Sequence, residues 1–183
     1  MLLKRLFDIV FSATALVFVG WIIFLCWLVA TIDTRENGFF LQKRVGQHAR
    51  YFTILKIRTM KDGKVTWLGA FFRKTKLDEL PQFINVLIGD MSVVGPRPDI
   101  PGYYDLLEGE SRKILELKPG LTSLASLKYF NEEYLLEKQE NPLHFNDTVI
   151  FPDKVRMNLQ YYHTRTFWGD VKIVLATLFQ KIF

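Results

Sequence analysis

The sequence predicts an α+β domain, mostly α, carried on an N-terminal membrane element. Three observations predict it. Ile9 to Ile32 is an uncharged run of 24 residues, two β-forming stretches around a polar turn follow it, and short amphipathic helices fill much of the rest. With 49% hydrophobic and 15% aromatic residues among 183, the chain is rich in apolar side chains for a water-soluble domain. Its 24 Lys and Arg against 19 Asp and Glu give a net charge of +5, which suits an anionic partner such as a membrane surface, a nucleotide or a nucleic acid. Those basic residues cluster beside apolar segments, which favours the membrane and argues against nucleic acid. Cys26, the single cysteine, lies inside the apolar run, so a disulfide framework or a Cys-based metal site within one chain is excluded. A cytoplasmic active domain follows.

As one helix, Ile9 to Ile32 would reach roughly 36 Å, enough to cross the hydrocarbon core. It is too long for the apolar part of a signal peptide, and no Ala-x-Ala site follows it. Lys4 and Arg5 stand on one side, with Arg35, Lys43, Arg44 and Arg50 on the other, so the positive-inside tendency asks both ends to be cytoplasmic. A re-entrant hairpin satisfies both ends. Its bend needs a helix-weakening residue, and Gly20 lies mid-run, although glycine is a far weaker breaker than proline. From the physics a single span and a hairpin both remain open.

Phe39 to Gly46 and Tyr51 to Met60, around the polar turn Gly46 to Arg50, read as a short β-hairpin. Lys56 and Arg58 share a strand face there, which serves either a solvated edge or a phosphate. Trp67 to Lys76 reads as a basic amphipathic helix near a membrane surface, and Gln82 to Ile88, after Pro81 and before Gly89, as another helix. The stretch Gly89 to Pro98 reads as a rigid loop in which two prolines fix the direction of Arg97. Helices are expected over Glu110 to Leu117 and Asp153 to Tyr162, with a polar insert from Asn131 to Asn146 that turns at Asn141-Pro142. The apolar tail, Phe167 to Phe183, carries Asp170, Lys172 and Lys181 along one edge, as an interfacial helix would.

Asp78 and Glu79 lie between a basic stretch, Arg73, Lys74 and Lys76, and an apolar run. An adjacent acid pair is usually solvated surface, or a favourable charge near a helix N-terminus. Beside arginines and a membrane anchor it also suits a phosphate-bearing ligand and a divalent metal, because an Asp can attack phosphorus to give an acyl phosphate. His48, His144 and His163 are scattered, and no HExxH, Walker A, GxGxxG or Gly-x-Ser-x-Gly pattern is present.

The 26 residues from Arg73 through Lys76-Leu77-Asp78-Glu79-Leu80-Pro81-Gln82 to Gly95-Pro96-Arg97-Pro98 closely resemble the core of the bacterial sugar transferases, the monotopic phosphoglycosyl transferases. Agreement extends outward. Gln42-Lys43-Arg44-Val45-Gly46 is similar to the family's Gln-x-Arg-x-Gly, Lys56-Ile57-Arg58-Thr59-Met60 to its Lys-Phe-Arg/Lys-Thr-Met, and Lys118-Pro119-Gly120-Leu121-Thr122 to its Pro-Gly-Ile-Thr.

The resemblance implies a monotopic enzyme of the bacterial inner membrane, active on the cytoplasmic face, that moves a sugar 1-phosphate from a UDP-sugar to undecaprenyl phosphate. It places the nucleophile on Asp78 and Mg²⁺ beside Glu79, with both carboxylates as metal ligands. It gives uridine recognition to Pro96, Arg97 and Pro98, and puts Arg73 near the phosphates; Lys56 and Arg58 join them as substrate-binding candidates. It also favours the re-entrant hairpin, so residues 1–34 are expected as anchor and 35–183 as catalytic domain with interfacial helices. A second copy of the chain, as a homodimer, is a further candidate partner. Three departures stand out: Gly20-Trp21 replaces the Ser-Pro of many relatives at the helix break, Ser123-Leu124-Ala125-Ser126 replaces Gly-Trp-Ala-Gln, and Asn158 stands where relatives often carry Asp. The competing readings are a non-catalytic membrane scaffold and a UDP-sugar phosphohydrolase.

Overall fold

The computed structural model describes residues 2–180 and divides into two compact units, one of Met1–Arg44 and Tyr51–Val93, the other of Val45–Arg50 and Val94–Phe183. The expected character is there, mostly helix with small two-stranded sheets.

In the first unit α1 (Leu2–Thr34) is one helix of 33 residues, long and apolar enough to cross a membrane. The sequence offers Gly20 as a place for a bend, and the helix runs through it. Glycine keeps its N–H and costs only about 1 kcal/mol in a helix interior, so it does not interrupt the ladder as proline does. Asp8, Ser12, Ile23, Cys26, Ala30 and Thr34 are buried, whereas Leu2, Leu6, Val17, Phe18, Trp21 and Ile32 are exposed. Ile23, Cys26 and Ala30 form a core with Ile57 and Phe72.

Polar contacts hold both ends of α1 to this unit. Near its start, Arg5 donates to the carbonyls of Val86 (2.7 Å) and Leu87 (2.8 Å), and the buried Asp8 carboxylate accepts from the Ser92 hydroxyl (3.0 Å) and the Val93 N–H (2.9 Å). Burying a carboxylate is costly unless such donors replace water, and here two do. Near its end, the Trp27 indole donates to Asn37 at 3.2 Å, and Gly38 lies so close that a Cβ would stand 2.1 Å from the Trp27 carbonyl oxygen.

The expected hairpin is present as β1 (Phe39–Val45) and β2 (Tyr51–Ile57), joined through a 3₁₀ turn, Gln47–Ala49. A second, tiny hairpin, β3 (Met60–Lys61) with β4 (Lys64–Val65), lies outside the expectation. Its turn, Asp62-Gly63, has positive φ at both residues, as the short-hairpin signature requires. The two helices of this region match their predictions closely. α2 (Trp67–Thr75) starts on Thr66, whose hydroxyl caps the Gly69 N–H, and α3 (Gln82–Ile88) ends on Gly89 at φ 103. Asn85 fastens α3 to β2, accepting from Leu55 N–H (3.0 Å) and donating to the Thr53 carbonyl (2.8 Å).

Where a rigid loop is expected, Ser92–Val94 is a buried strand, β5, and Gly120–Thr122 forms β6. The β-branched pair Val93-Val94 favours that extended, buried geometry. In the second unit the helix expected over Glu110 to Leu117 is present as a 3₁₀ helix, Gly109–Glu116, and Ile114 and Leu115 from it pack with Val45 and Tyr104. The chain continues through α4 (Leu124–Lys128), α5 (Glu132–Glu137), α6 (Pro142–Phe145), a π-helical turn (Asn146–Ile150), α7 (Phe151–Thr164) and α8 (Phe167–Gln180). The polar insert is therefore folded. Glu132 accepts from Lys154 at 2.7 Å, tying α5 to α7, and Asp153 accepts from Lys128, Arg156 and Tyr129, which holds its carboxyl well below the usual range.

α8 has the apolar outer face expected of the tail, with Trp168, Leu175, Leu178 and Phe179 exposed. One placement differs. Asp170, expected on a polar edge, is buried (4% exposed) because the Tyr161 hydroxyl donates to it at 2.6 Å. Lys181 and Phe183 lie outside the described residues.

Candidate functional site

The acid pair is presented by a backbone reversal. α2 ends at Lys76, which adopts the left-handed conformation (φ 58, ψ 21), and its N–H bonds back to the carbonyls of Phe72 and Arg73. Leu77–Glu79 then forms a 3₁₀ turn, and Leu80 (φ −55, ψ −36) and Pro81 (φ −60, ψ −18) carry right-handed backbone into α3. A left-handed non-glycine residue costs roughly 1–2 kcal/mol. Leu77 and Leu80, packed on the core of Ile57 and Phe72, offset that cost by burial. Asp78 consequently sits inside, 7% exposed, and Glu79 beside it is half-buried.

Arg73 is held one turn before the pair, its Nε donating to the Thr59 hydroxyl at 3.0 Å. Thr59 is buried, and its carbonyl accepts from the Thr66 N–H. The contact is tight enough that a Cβ on Gly69 would stand 2.1 Å from the Thr59 carbonyl oxygen, so glycine is what lets the first turn of α2 reach this segment. Thr59 and Gly69 are thus supports that sequence reasoning left without a role. The signal was there in part, since Thr59 belongs to the Lys56 to Met60 motif.

Lys56 and Arg58 divide in their surroundings. Lys56 is half-buried in β2. Arg58 is engaged with the α1–β1 connection: it pairs with Glu36 at 2.9 Å, donates to the Asn37 carbonyl at 2.8 Å, and lies over the Phe40 ring at 5.7 Å.

Pro96, Arg97 and Pro98 belong to the second unit, with both prolines buried and Arg97 half-buried. The loop is framed by backbone crossing backbone. Gly95 N–H donates to the Thr122 carbonyl (3.0 Å) and Gly120 N–H to the Pro96 carbonyl (2.8 Å), while a Cβ on Gly120 would stand 2.1 Å from Gly95 N. Two motifs far apart in the sequence are therefore one structure, and each needs its glycine. Arg97 borders a small cleft with Val45, Gly46, Tyr104, Leu115 and Pro119. Asn158 is buried and donates to the Tyr104 hydroxyl at 2.7 Å, and burial, followed by the charge of Asp99, pushes that hydroxyl's pKa up. A larger cavity of about 430 Å³ in this unit is lined by His48, Arg112, Lys113 and Glu116. It contains none of the predicted site residues.

Within the first unit Arg73 lies in the last turn of α2, and Asp78 and Glu79 lie in the 3₁₀ turn that follows it. Among the described residues no group of three or more His, Cys, Asp or Glu is gathered as a metal cage. Two adjacent carboxylates nonetheless suit Mg²⁺, which is commonly held by one or two carboxylates and completed by substrate phosphates and water.

A family model described as bacterial sugar transferase matches residues 1–183. Among curated relatives, the UDP-glucose:undecaprenyl-phosphate glucose-1-phosphate transferase of Escherichia coli (strain K12) is 34% identical over 98% of this chain and 40% of its own length. The galactosyl transferase CpsE of Streptococcus agalactiae serotype III is 32% identical over 96% of this chain and 41% of its own. The uncharacterized sugar transferase EpsL of Bacillus subtilis is 32% identical over 97% of this chain and 86% of its own. The chain spans about two fifths of the length of the first two.

Proposed function

The chain belongs to the bacterial sugar transferase family, and from that premise we propose that it transfers a sugar 1-phosphate from a UDP-sugar to undecaprenyl phosphate on the cytoplasmic face of the bacterial inner membrane. The observation that carries this reading is the buried Asp78 beside Glu79, one turn after an arginine fixed by Thr59. An Asp78 carboxylate oxygen attacks the sugar-linked phosphorus of the UDP-sugar. The bond from that phosphorus to the bridging oxygen breaks, and UMP departs with the oxygen and its electron pair. An oxygen of undecaprenyl phosphate then attacks the same phosphorus, displaces the carboxylate and yields a lipid-linked diphosphate sugar, the starting point of a glycan. Arg73 and Arg97 bind phosphate and nucleotide charge. Asp78 and Glu79 would hold Mg²⁺, and the ion would supply positive charge against the phosphates.

The membrane topology proposed is monotopic and re-entrant, with any bend carried inside the continuous α1 helix, which is not interrupted at Gly20. It is supported by α1 being held to one unit at both ends while its outer face stays apolar. The exposed Trp67 and Phe71 of α2 lie at the bilayer surface in this reading. In a Cys26-free variant, single cysteines at positions 3 and 37 are expected to react with an impermeant thiol reagent only from the cytoplasmic side. Periplasmic labelling at either position would restore a single span.

The reaction is tested by UMP release from a panel of UDP-sugars, with and without undecaprenyl phosphate. A stoichiometric burst is expected without acceptor and sustained turnover with it. Sustained release into water alone would instead identify a phosphohydrolase.

A further inference from the structure

Gln82 is 2% exposed, and its Nε2 is buried with no described residue accepting a hydrogen bond from it. Buried polar atoms are nearly always paired in folded proteins, so this one asks for a reason. Packing of α3 does not supply it. Asn85 fastens the helix to β2 with both ends of its amide, and Arg5 takes up the carbonyls of Val86 and Leu87.

Position points to the site. Backbone from Leu77 to Ile88 is right-handed helical, with Leu80, Phe83 and Ile84 N–H groups bonding three residues back. Residues 78 and 82, one turn apart on such a backbone, lie towards the same side, and both are buried. The residue type also fits. A lysine here would form an ion pair with the acid dyad, whereas a neutral amide offers a hydrogen-bond donor without tying up the carboxylate in an ion pair.

We propose that Gln82 is a binding residue of the transfer site, donating from Nε2 to a non-bridging phosphoryl oxygen of the sugar phosphate at Asp78. This rests on Asp78 being the nucleophile. The competing explanation is structural. Ser12 Oγ, on the neighbouring α1, is also buried without a hydrogen bond among the described residues, and a water shared between the two side chains would satisfy both.

The test uses the full chain in lipid nanodiscs with undecaprenyl phosphate and whichever of a panel of UDP-sugars gives the fastest wild-type UMP release. Gln82→Met, nearly isosteric and without the donor, is expected to lose about 100-fold in kcat while its melting temperature stays the same or rises. Gln82→Glu is expected to lose more, because a carboxylate repels the phosphoryl oxygens. Wild-type turnover in Gln82→Met overturns the proposal. A fall in melting temperature that Ser12→Ala reproduces also overturns it, in favour of the structural water. Asp78→Asn is assayed in parallel: if it is active, or if no UDP-sugar is used by the wild type, the nucleophile reading fails and this one with it. An inactive Asp78→Asn beside an unaffected Gln82→Met sinks only the role of Gln82.

Discussion

Asp78→Asn is expected to abolish UMP release, by about 1,000-fold or more, while leaving the fold intact. An amide oxygen is a poor nucleophile toward phosphorus, and a neutral side chain of the same size removes no packing from the turn between α2 and α3. Intact-mass analysis separates this from a binding defect. Wild-type protein given a UDP-sugar without acceptor should gain the mass of one sugar phosphate, and Asp78→Asn should gain nothing. Full release by the variant would remove the nucleophile from this position. Glu79→Gln should instead retain the adduct but need more Mg²⁺ to form it, since it deletes one hard oxygen charge next to an intact nucleophile. An unchanged Mg²⁺ titration would take Glu79 out of the metal site.

Gly120→Ala should damage both stability and donor binding. Its Cβ would stand 2.1 Å from Gly95 N and 2.4 Å from Gly95 O, atoms that no side-chain rotation can move. The two backbones must separate, at about 1–3 kcal/mol, and the bonds Gly95 N–H to Thr122 and Gly120 N–H to Pro96 lengthen with them. Arg97 follows Pro96 directly, so the KM for the UDP-sugar should rise about 10-fold or more, with a smaller change in kcat. Gly20→Ala is the control. Nothing lies within 4 Å of a Cβ there, the residue is helical, and alanine should stabilise by up to about 1 kcal/mol. Equal melting temperatures and KM values for wild type and Gly120→Ala would mean that the close crossing does not position the loop.

By itself the sequence determined the elements whose signals are local. α3 begins after Pro81 and stops at Gly89 because proline fixes φ and glycine accepts positive φ, and both residues are legible in one dimension. The long apolar run specified α1, and two β-forming stretches around a polar turn specified β1 and β2. The dyad and the Pro-Arg-Pro loop were likewise legible as motifs. What only the tertiary structure decided depends on partners distant in the chain. Asp170 reads as a polar edge until Tyr161 donates to it, and Asp8 reads as the charged boundary of an apolar run until Ser92 and Val93 bury it. Gly69, Gly95 and Gly120 carry no local sign of a close approach, yet each is required because another stretch of backbone passes within van der Waals contact. The burial of Asp78 belongs to the same class. It follows from a left-handed Lys76, a conformation no local signal announces, held in place by Leu77 and Leu80 on a core built from α1, α2 and β2. A hydrogen bond or a close approach between residues far apart in sequence leaves no periodicity to read, so folding turned the acid pair from surface chemistry into a buried site.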